Sequence, residues 1–252
     1  MVTIIDLSLP LENFANSPVS PEIIYWDHEE GTRRIGRDLG LSSLDFPDHI
    51  ALAMEKCTAL THAGTHLDAP YHVTPSIQGK RAMTIDEVPL EWCFGDGVVL
   101  DLTHKRDGEF ITKEDIINAL KKINYTVKAG DIVLIRTDTY KKFVTPKYFE
   151  SGPGMSREAT EYLVDLGVRV MGSDTYSFDR PIKTMAEDHK KGARGVLWPS
   201  HLLGREKLHI HMEQMANLDK IPKPFGFKVA AFPIKIKRGS GAWVRPVAIF
   251  TD

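Results

Sequence analysis

The sequence predicts one α/β or α+β domain over residues 1–252, and three observations support this fold class. Short apolar runs rich in β-branched residues recur along the chain and alternate with segments of helical periodicity. No internal repeat, low-complexity segment or Gly/Ser-rich linker divides the 252 residues. With 42% hydrophobic and 26% charged residues, the composition is that of a globular protein with one sizeable core.

Composition and charge exclude several classes of function. The net charge is −2 and basic residues do not cluster, which argues against a nucleic-acid partner. No apolar run approaches the ~20 residues that span a bilayer. Residues 1–10 carry no basic leader and no long apolar core, so we expect no signal peptide and a cytoplasmic location. The two cysteines, Cys57 and Cys93, lack a Cys-x2-Cys partner and do not form a disulfide framework.

In the first half of the chain, strand-like segments flank a long irregular one. Residues 2–9 predict a strand that the following proline ends. Residues 11–50 contain repeated proline and glycine and predict an irregular segment. We interpret this segment as a substrate-covering loop or, alternatively, as an arm that contacts a second subunit. Residues 51–60 predict a strand, and residues 74–92 predict turns with a short helix near Ile85.

The second half predicts strands and two capped helices. Thr112 and Ser156 are N-cap residues for helices over 112–123 and 156–166, and Gly167 ends the second helix. Apolar runs bounded by turn residues predict strands at 97–102, 131–136, 168–171, 195–198, 229–236 and 242–250. The connection over 177–195 is charged and predicts a solvated surface, and residues 206–218 predict a partly helical segment.

One stretch carries most of the chemical information. His62, His66, Asp68 and His72 occupy even positions, which share one face of an extended chain. A helix would send Asp68 to the far side, and the intervening Gly64 and Pro70 also disfavour a helix. A lone histidine is more often a packed or solvated residue than a ligand. The combined pattern of imidazoles and a carboxylate instead favours a site for Zn, Mn, Fe or Co. A fully extended segment would be ~33 Å long, so it must bend to serve one site.

The sequence resembles a known family at this stretch. His62-x-Gly64-Thr65-His66-x-Asp68-x-Pro70-x-His72 is similar to the signature of the cyclase-type metal-dependent hydrolases, which include kynurenine formamidase and isatin hydrolase. A second stretch, from His201-Leu202-Leu203 through Glu213 to Asn217-Leu218-Asp219, resembles the other motif of that family. Ile5-Asp6-Leu7-Ser8 and Arg245-Pro246-Val247 extend the resemblance towards the two ends.

The resemblance implies a fold and a set of ligands. The implied fold is a layered β/β/α swivelling-type architecture with a barrel-like mixed sheet. The implied cofactor is Zn or Mn, one or two ions per chain, and the implied assembly is a homodimer or homotetramer. His62, His66 and Asp68 are the expected ligands of the first ion. His201 and Glu213 align with the ligands of a second ion, which Asp68 would share.

The implied activity is hydrolysis of an amide, formamide, lactam or lactone by metal-activated water. His72 aligns with the general acid/base of the family, and ligation of the second ion is an alternative role for it. We expect His209 and His211 to lie near the ligands or on the surface, outside the ligand set. Asp174, after a predicted strand, is a candidate to orient a ligand histidine. The alternative function is a metal-dependent cyclase or a binding protein of secondary metabolism.

Overall fold

The structure is a computed structural model that describes residues 1–13 and 20–251. The chain forms two compact units, one from Met1–Pro10 with Gly64–Asp252 and the other from Leu11–Ala63. The single domain expected from the sequence stays a prediction. No helix in the described ranges is long and apolar enough to cross a membrane.

Strands dominate the described part of the chain. They are β1 (Val2–Asp6), β2 (Glu22–Trp26), β3 (Met54–Thr58), β4 (His66–Asp68), β5 (Ser76–Ile77), β6 (Lys80–Arg81), β7 (Phe94–Asp101), β8 (Phe110–Ile111), β9 (Ile132–Arg136), β10 (Gly154–Met155), β11 (Val170–Ser173), β12 (Ile210–Glu213), β13 (Phe225–Ala230), β14 (Gly241–Trp243) and β15 (Val247–Thr251). The helices are α1 (His28–Leu39), α2 (Lys113–Lys122), α3 (Arg157–Asp165), α4 (Ile182–Lys190) and α5 (Pro199–Leu203).

A mixed nine-stranded sheet forms the centre of the larger unit. Its strand order is β1-β15-β13-β7-β9-β11-β12-β4-β14. The four strands from β7 to β12 in this order run parallel to one another, and antiparallel strands continue the sheet on both sides. The mixed sheet confirms the expected fold class.

The two faces of this sheet bury separate apolar clusters. Along β9, Ile132 and Leu134 point into one cluster, and Val133 and Ile135 point into the other. Alternate residues of a strand point to opposite faces, so a strand that is apolar at every position is buried on both sides. Helices α2 and α3 cover the second cluster with an apolar stripe that includes Ile116 on α2 and Leu163 on α3.

The two predicted helices are confirmed together with their caps. The Thr112 side chain accepts a hydrogen bond from Asp115 N–H at the start of α2, and Ser156 accepts one from Ala159 N–H at the start of α3. Gly167 has a φ of +94°, which suits glycine after a helix. The short helix predicted near Ile85 is a 3₁₀ helix over Ile85–Glu87.

Two predictions for the larger unit give the wrong kind of element. Residues 206–218 contain strand β12 where a partly helical segment was expected. Residues 195–198 form no strand, because Trp198 adopts a left-handed conformation and Pro199 begins α5. The charged run over 183–194 is mostly exposed, as expected, and part of it forms helix α4. In β12, apolar and polar side chains alternate with period two, and this strand signal outweighs local helix propensity.

The smaller unit corrects the expectation of an irregular 11–50 segment, of which residues 14–19 lie outside the described ranges. Strand β2 pairs antiparallel with β3. Helix α1 follows at once, with Asp27 as its N-cap and Gly40 as its left-handed C-cap. These capping signals are present in the sequence but are surrounded by glycines and prolines. The predicted strand over 51–60 is confirmed in its central part, as β3.

Candidate metal centre

Strand β4 places the first two candidate ligands of the larger unit. It is three residues long and pairs antiparallel with β12 on one side and β14 on the other. His66 and Asp68 therefore point to one face, and Leu67 between them packs into the apolar cluster on the opposite face. The His66 ring is fixed by a contact of 2.8 Å between Nδ1 and the carbonyl oxygen of Gly64. With Nδ1–H as the donor to that carbonyl, Nε2 keeps its lone pair for a metal.

Helix α5 supplies His201, which a buried carboxylate orients. His201 Nδ1 lies 2.6 Å from Asp179 Oδ2, and the same carboxylate accepts hydrogen bonds from Ser200 N–H and His201 N–H. This contact directs Nε2 towards the other candidate ligands. The expected orienting residue, Asp174, instead accepts bonds from Thr137 and the backbone N–H of Asp138. The sequence prediction for Asp174 is therefore wrong, and the carboxylate that orients His201 is Asp179.

Strand β12 supplies two further side chains on one face. His211 and Glu213 are two residues apart, and Met212 between them is buried in the apolar cluster. Glu213 Oε1 accepts a hydrogen bond of 2.7 Å from Phe178 N–H. The Phe178 ring stacks on the His211 ring, with centroids 4.6 Å apart and planes 18° apart. His211 was expected outside the ligand set, and the structure places it inside the cluster.

The five side chains converge on two adjoining positions. His201 Nε2 lies 3.5 Å from Asp68 Oδ2 and 3.3 Å from Glu213 Oε1. His211 Nε2 lies 3.3 Å and 3.5 Å from the same two oxygens, and 3.3 Å from His201 Nε2. His66 Nε2 lies 3.3 Å from Asp68 Oδ1 and 3.6 Å from Glu213 Oε2. Each carboxylate thus turns one oxygen towards His66 and the other towards the pair of His201 and His211.

This donor set fits a divalent transition metal. Ligands held 2.0–2.2 Å from a tetrahedral ion are roughly 3.3–3.6 Å from one another, the range observed here. Imidazole nitrogen and carboxylate oxygen are the donors that Zn and Mn take. One donor atom each from Asp68, His201, His211 and Glu213 lies within 4.8 Å of all the others, and all four residues are buried. A metal ion would offset the cost of burying two carboxylates together.

The buried groups of the cluster and its surroundings have shifted pKa values. Burial raises the pKa of Glu213, but hydrogen bonds from His201 and His211 outweigh burial and hold this pKa well below its usual range. Burial lowers the pKa of His201, but its bonds to Asp179, Asp68 and Glu213 outweigh burial and raise this pKa well above the ordinary value. Burial, followed by the charge of His211, lowers the pKa of His209 to about 4. His209 is therefore neutral at pH 7.

His72 lies at the more solvent-accessible edge of the cluster. It ends the 3₁₀ helix Pro70–His72, and its Nε2 lies 3.9 Å from Asp68 Oδ2. Its ring centroid is 5.7 Å from that of His201, and its side chain is 35% exposed. An imidazole in this position can exchange protons with solvent and face the buried donors.

The extended ligand segment expected from the sequence is shorter in the structure. Only His66–Asp68 is a strand, and turns precede and follow it. His66, Asp68, His201 and Glu213 are brought together as expected. His62 is part of the smaller unit, which ends at Ala63, and its role as a ligand stays a prediction. The alternation His209-Ile210-His211-Met212-Glu213 was the sequence signal that could have identified His211.

Comparisons with known proteins agree with the resemblance seen in the sequence. The model of the Cyclase family matches residues 5–180. Isatin hydrolase from Roseibium aggregatum is 28% identical over 197 residues, which cover 75% of this chain and 71% of that protein. Kynurenine formamidase from Bacillus cereus is 23% identical over 250 residues, which cover 96% of this chain and 95% of that protein.

Solved structures share the fold. Isatin hydrolase A from Ralstonia solanacearum aligns with a TM-score of 0.77 at 22% identity, over 99% of this chain and 92% of that chain. A potential metal-dependent hydrolase with cyclase activity aligns with a TM-score of 0.67 at 22% identity, over the full length of both chains. These likenesses confirm the fold class.

Proposed function

The chain belongs to the Cyclase family, and from this premise we propose that it is a metal-dependent hydrolase of an amide, formamide, lactam or lactone. The bond cleaved is the C–N or C–O bond beside the carbonyl group. The observation that carries the proposal is the buried cluster of three imidazoles and two carboxylates with separations of 3.3–3.6 Å. The hydrolase names of the relatives in Roseibium aggregatum and Bacillus cereus support the same class of reaction.

The cluster would hold Zn or Mn on two sides of the paired carboxylates. His66 and Asp68 would bind one ion, with His62 assigned to it on the sequence motif alone. His201 and Glu213 would bind the second, which Asp68 would share. When bound, such an ion lowers the pKa of a water molecule towards ~7 and polarises a carbonyl oxygen. The two carboxylates provide the negative charge that retains divalent cations in a buried site.

The protein's own side chains would orient ligands and move protons. Asp179 holds the tautomer of His201 in which Nε2 is free to bind a metal. His72 would take a proton from water and pass it to the leaving nitrogen or oxygen of the substrate. Its partial exposure lets it return to the neutral form by exchange with solvent.

The experiment compares chelator-treated protein with protein reconstituted with Zn or Mn. N-formylkynurenine, isatin and an aryl lactone are the substrates, and the metal content of each sample is measured. We expect hydrolysis of at least one substrate by the reconstituted protein and none by the chelated protein. Asp68→Asn should lose metal and turnover, whereas Asp165→Asn, which changes an exposed carboxylate of the same unit, should behave as wild type.

Two results would contradict this proposal. The first is a metal-loaded protein that hydrolyses none of the three substrates, which would favour a cyclase or binding function. The second is turnover by the chelated protein equal to that of the reconstituted protein. Metal content measured on the same samples separates a failure to load from a failure to react.

A further inference from the structure

We propose that His211 is a fourth protein ligand, which closes the coordination of one ion together with Asp68, His201 and Glu213. The inference rests on the metal-dependent function proposed above. Protein zinc sites usually have four ligands, and His211 would supply the fourth here.

The distances around His211 favour ligation over a simple hydrogen bond. Its Nε2 has three polar neighbours at 3.3–3.5 Å: His201 Nε2, Asp68 Oδ2 and Glu213 Oε1. One N–H donor would approach a single acceptor at about 2.9–3.0 Å and would not stay equally far from three. Spacing of this kind is expected for atoms that surround a common cation, because their distances to one another are about 1.6 times the metal–ligand bond, roughly 3.3–3.6 Å.

Phe178 positions the His211 ring. Among the described residues, the buried Nδ1 of His211 has no hydrogen-bond partner, so no bond at that nitrogen sets the orientation of the ring. The ring is held by stacking against Phe178, whose N–H also fixes Glu213. One residue thus positions two of the four donors.

The test uses Co²⁺ as the metal, because its visible absorption reports coordination independently of turnover. We expect wild-type protein to bind two equivalents and to show the intense visible bands of a tetrahedral site. His211→Phe, which keeps a ring against Phe178, should weaken one equivalent by more than about 100-fold, beyond the effect of losing a residue that only supports a ligand. His209→Phe is the matched control: it changes a buried histidine immediately before β12 and should keep both equivalents and the spectrum.

A second variant keeps the test decisive if His211→Phe does not fold. His211→Cys should retain the ion and introduce a thiolate-to-cobalt charge-transfer band in the near ultraviolet, which His209→Cys should not show. Two equivalents with an unchanged spectrum in folded His211→Phe, or no charge-transfer band in folded His211→Cys, would overturn the inference.

The outcome separates this inference from the hydrolase proposal. If wild type hydrolyses the substrate panel but loss of His211 leaves the cobalt spectrum unchanged, only the four-ligand site is wrong. If the spectrum changes as expected but no substrate is hydrolysed, the site is correct and the hydrolase function is wrong.

Discussion

Replacing Asp179 with asparagine should weaken metal binding while the fold is retained. Asp179 is fully buried, and its two oxygens accept bonds from His201 Nδ1 at 2.6 Å, Ser200 N at 2.8 Å and His201 N at 3.2 Å. Asparagine has one acceptor oxygen and one NH₂ group, so one side of this arrangement must place two donors against each other.

Both orientations of the asparagine amide damage the site. If the NH₂ group faces His201 Nδ1, the imidazole must move its proton to Nε2, and the nitrogen aimed at the cluster then cannot bind a metal. If the oxygen faces His201, the NH₂ group opposes Ser200 N–H and leaves a buried donor unsatisfied, at a cost of about 1–3 kcal/mol. Loss of such a supporting carboxylate typically costs about 10–100-fold in metal affinity. That range corresponds to about 1.4–2.8 kcal/mol.

The assay is a competitive Zn²⁺ titration against a chromophoric chelator, with circular dichroism to confirm folding. Asp174→Asn is the matched control, because Asp174 is equally buried and accepts three hydrogen bonds, but from Thr137 and Asp138, which are not candidate ligands. We expect Asp174→Asn to lower stability and to leave Zn²⁺ affinity unchanged. Wild-type affinity in a folded Asp179→Asn protein would refute the tautomer reasoning.

Three further predictions concern proton transfer, pH and assembly. His72→Ala should keep the metal and lower turnover by roughly 10²–10⁴-fold. A sample of this variant that retains the metal and turns over substrate at a near-normal rate would reject the proton-transfer role. Burial raises the pKa of Asp174 to about 7, so this carboxyl group loses its proton at a lower pH in the unfolded chain than in the folded protein. The free energy of unfolding should therefore decrease as the pH rises from about 4 to 7. Thermal unfolding of Asp174→Asn should lack that decline; an identical decline would assign it to other groups. Tyr25 and Leu44 expose 64% and 76% of their surface in the smaller unit, and we expect a homodimer or homotetramer to cover such residues. Light scattering that gives a monomer mass at micromolar concentration would contradict this.

The sequence predicted the parts of the fold that depend on local signals. Thr112 and Ser156 could be recognised as caps because their side chains satisfy N–H groups within the next turn. The β9 run could be recognised as a buried strand because its first four residues, 132–135, are all apolar. The even spacing of His66 and Asp68 likewise depends only on the period of a strand.

The choice between Asp174 and Asp179 could not be predicted from sequence. Both carboxylates follow β11, and either spacing allows one of them to approach His201. The path of the loop backbone determines which carboxylate reaches His201, and this backbone passes very close to Gly154. A Cβ atom at Gly154 would lie 2.1 Å from the carbonyl carbon of Asp179 and 2.0 Å from the backbone nitrogen of Arg180. That approach is a tertiary contact between distant segments, which no local pattern records.

The pairing of β4 with β12 limits the sequence changes that this protein can tolerate during evolution. Glu213 pairs with His66 and Met212 with Leu67, so one face of the pair carries the polar donors and the other belongs to the core. Inserting or deleting one residue within β4 would reverse both faces at once, bringing Leu67 among the donors and a charged side chain into the core. Evolutionary change in β4 is thus confined to substitutions, because an insertion or deletion of even one residue would disrupt the donor cluster and the apolar core together.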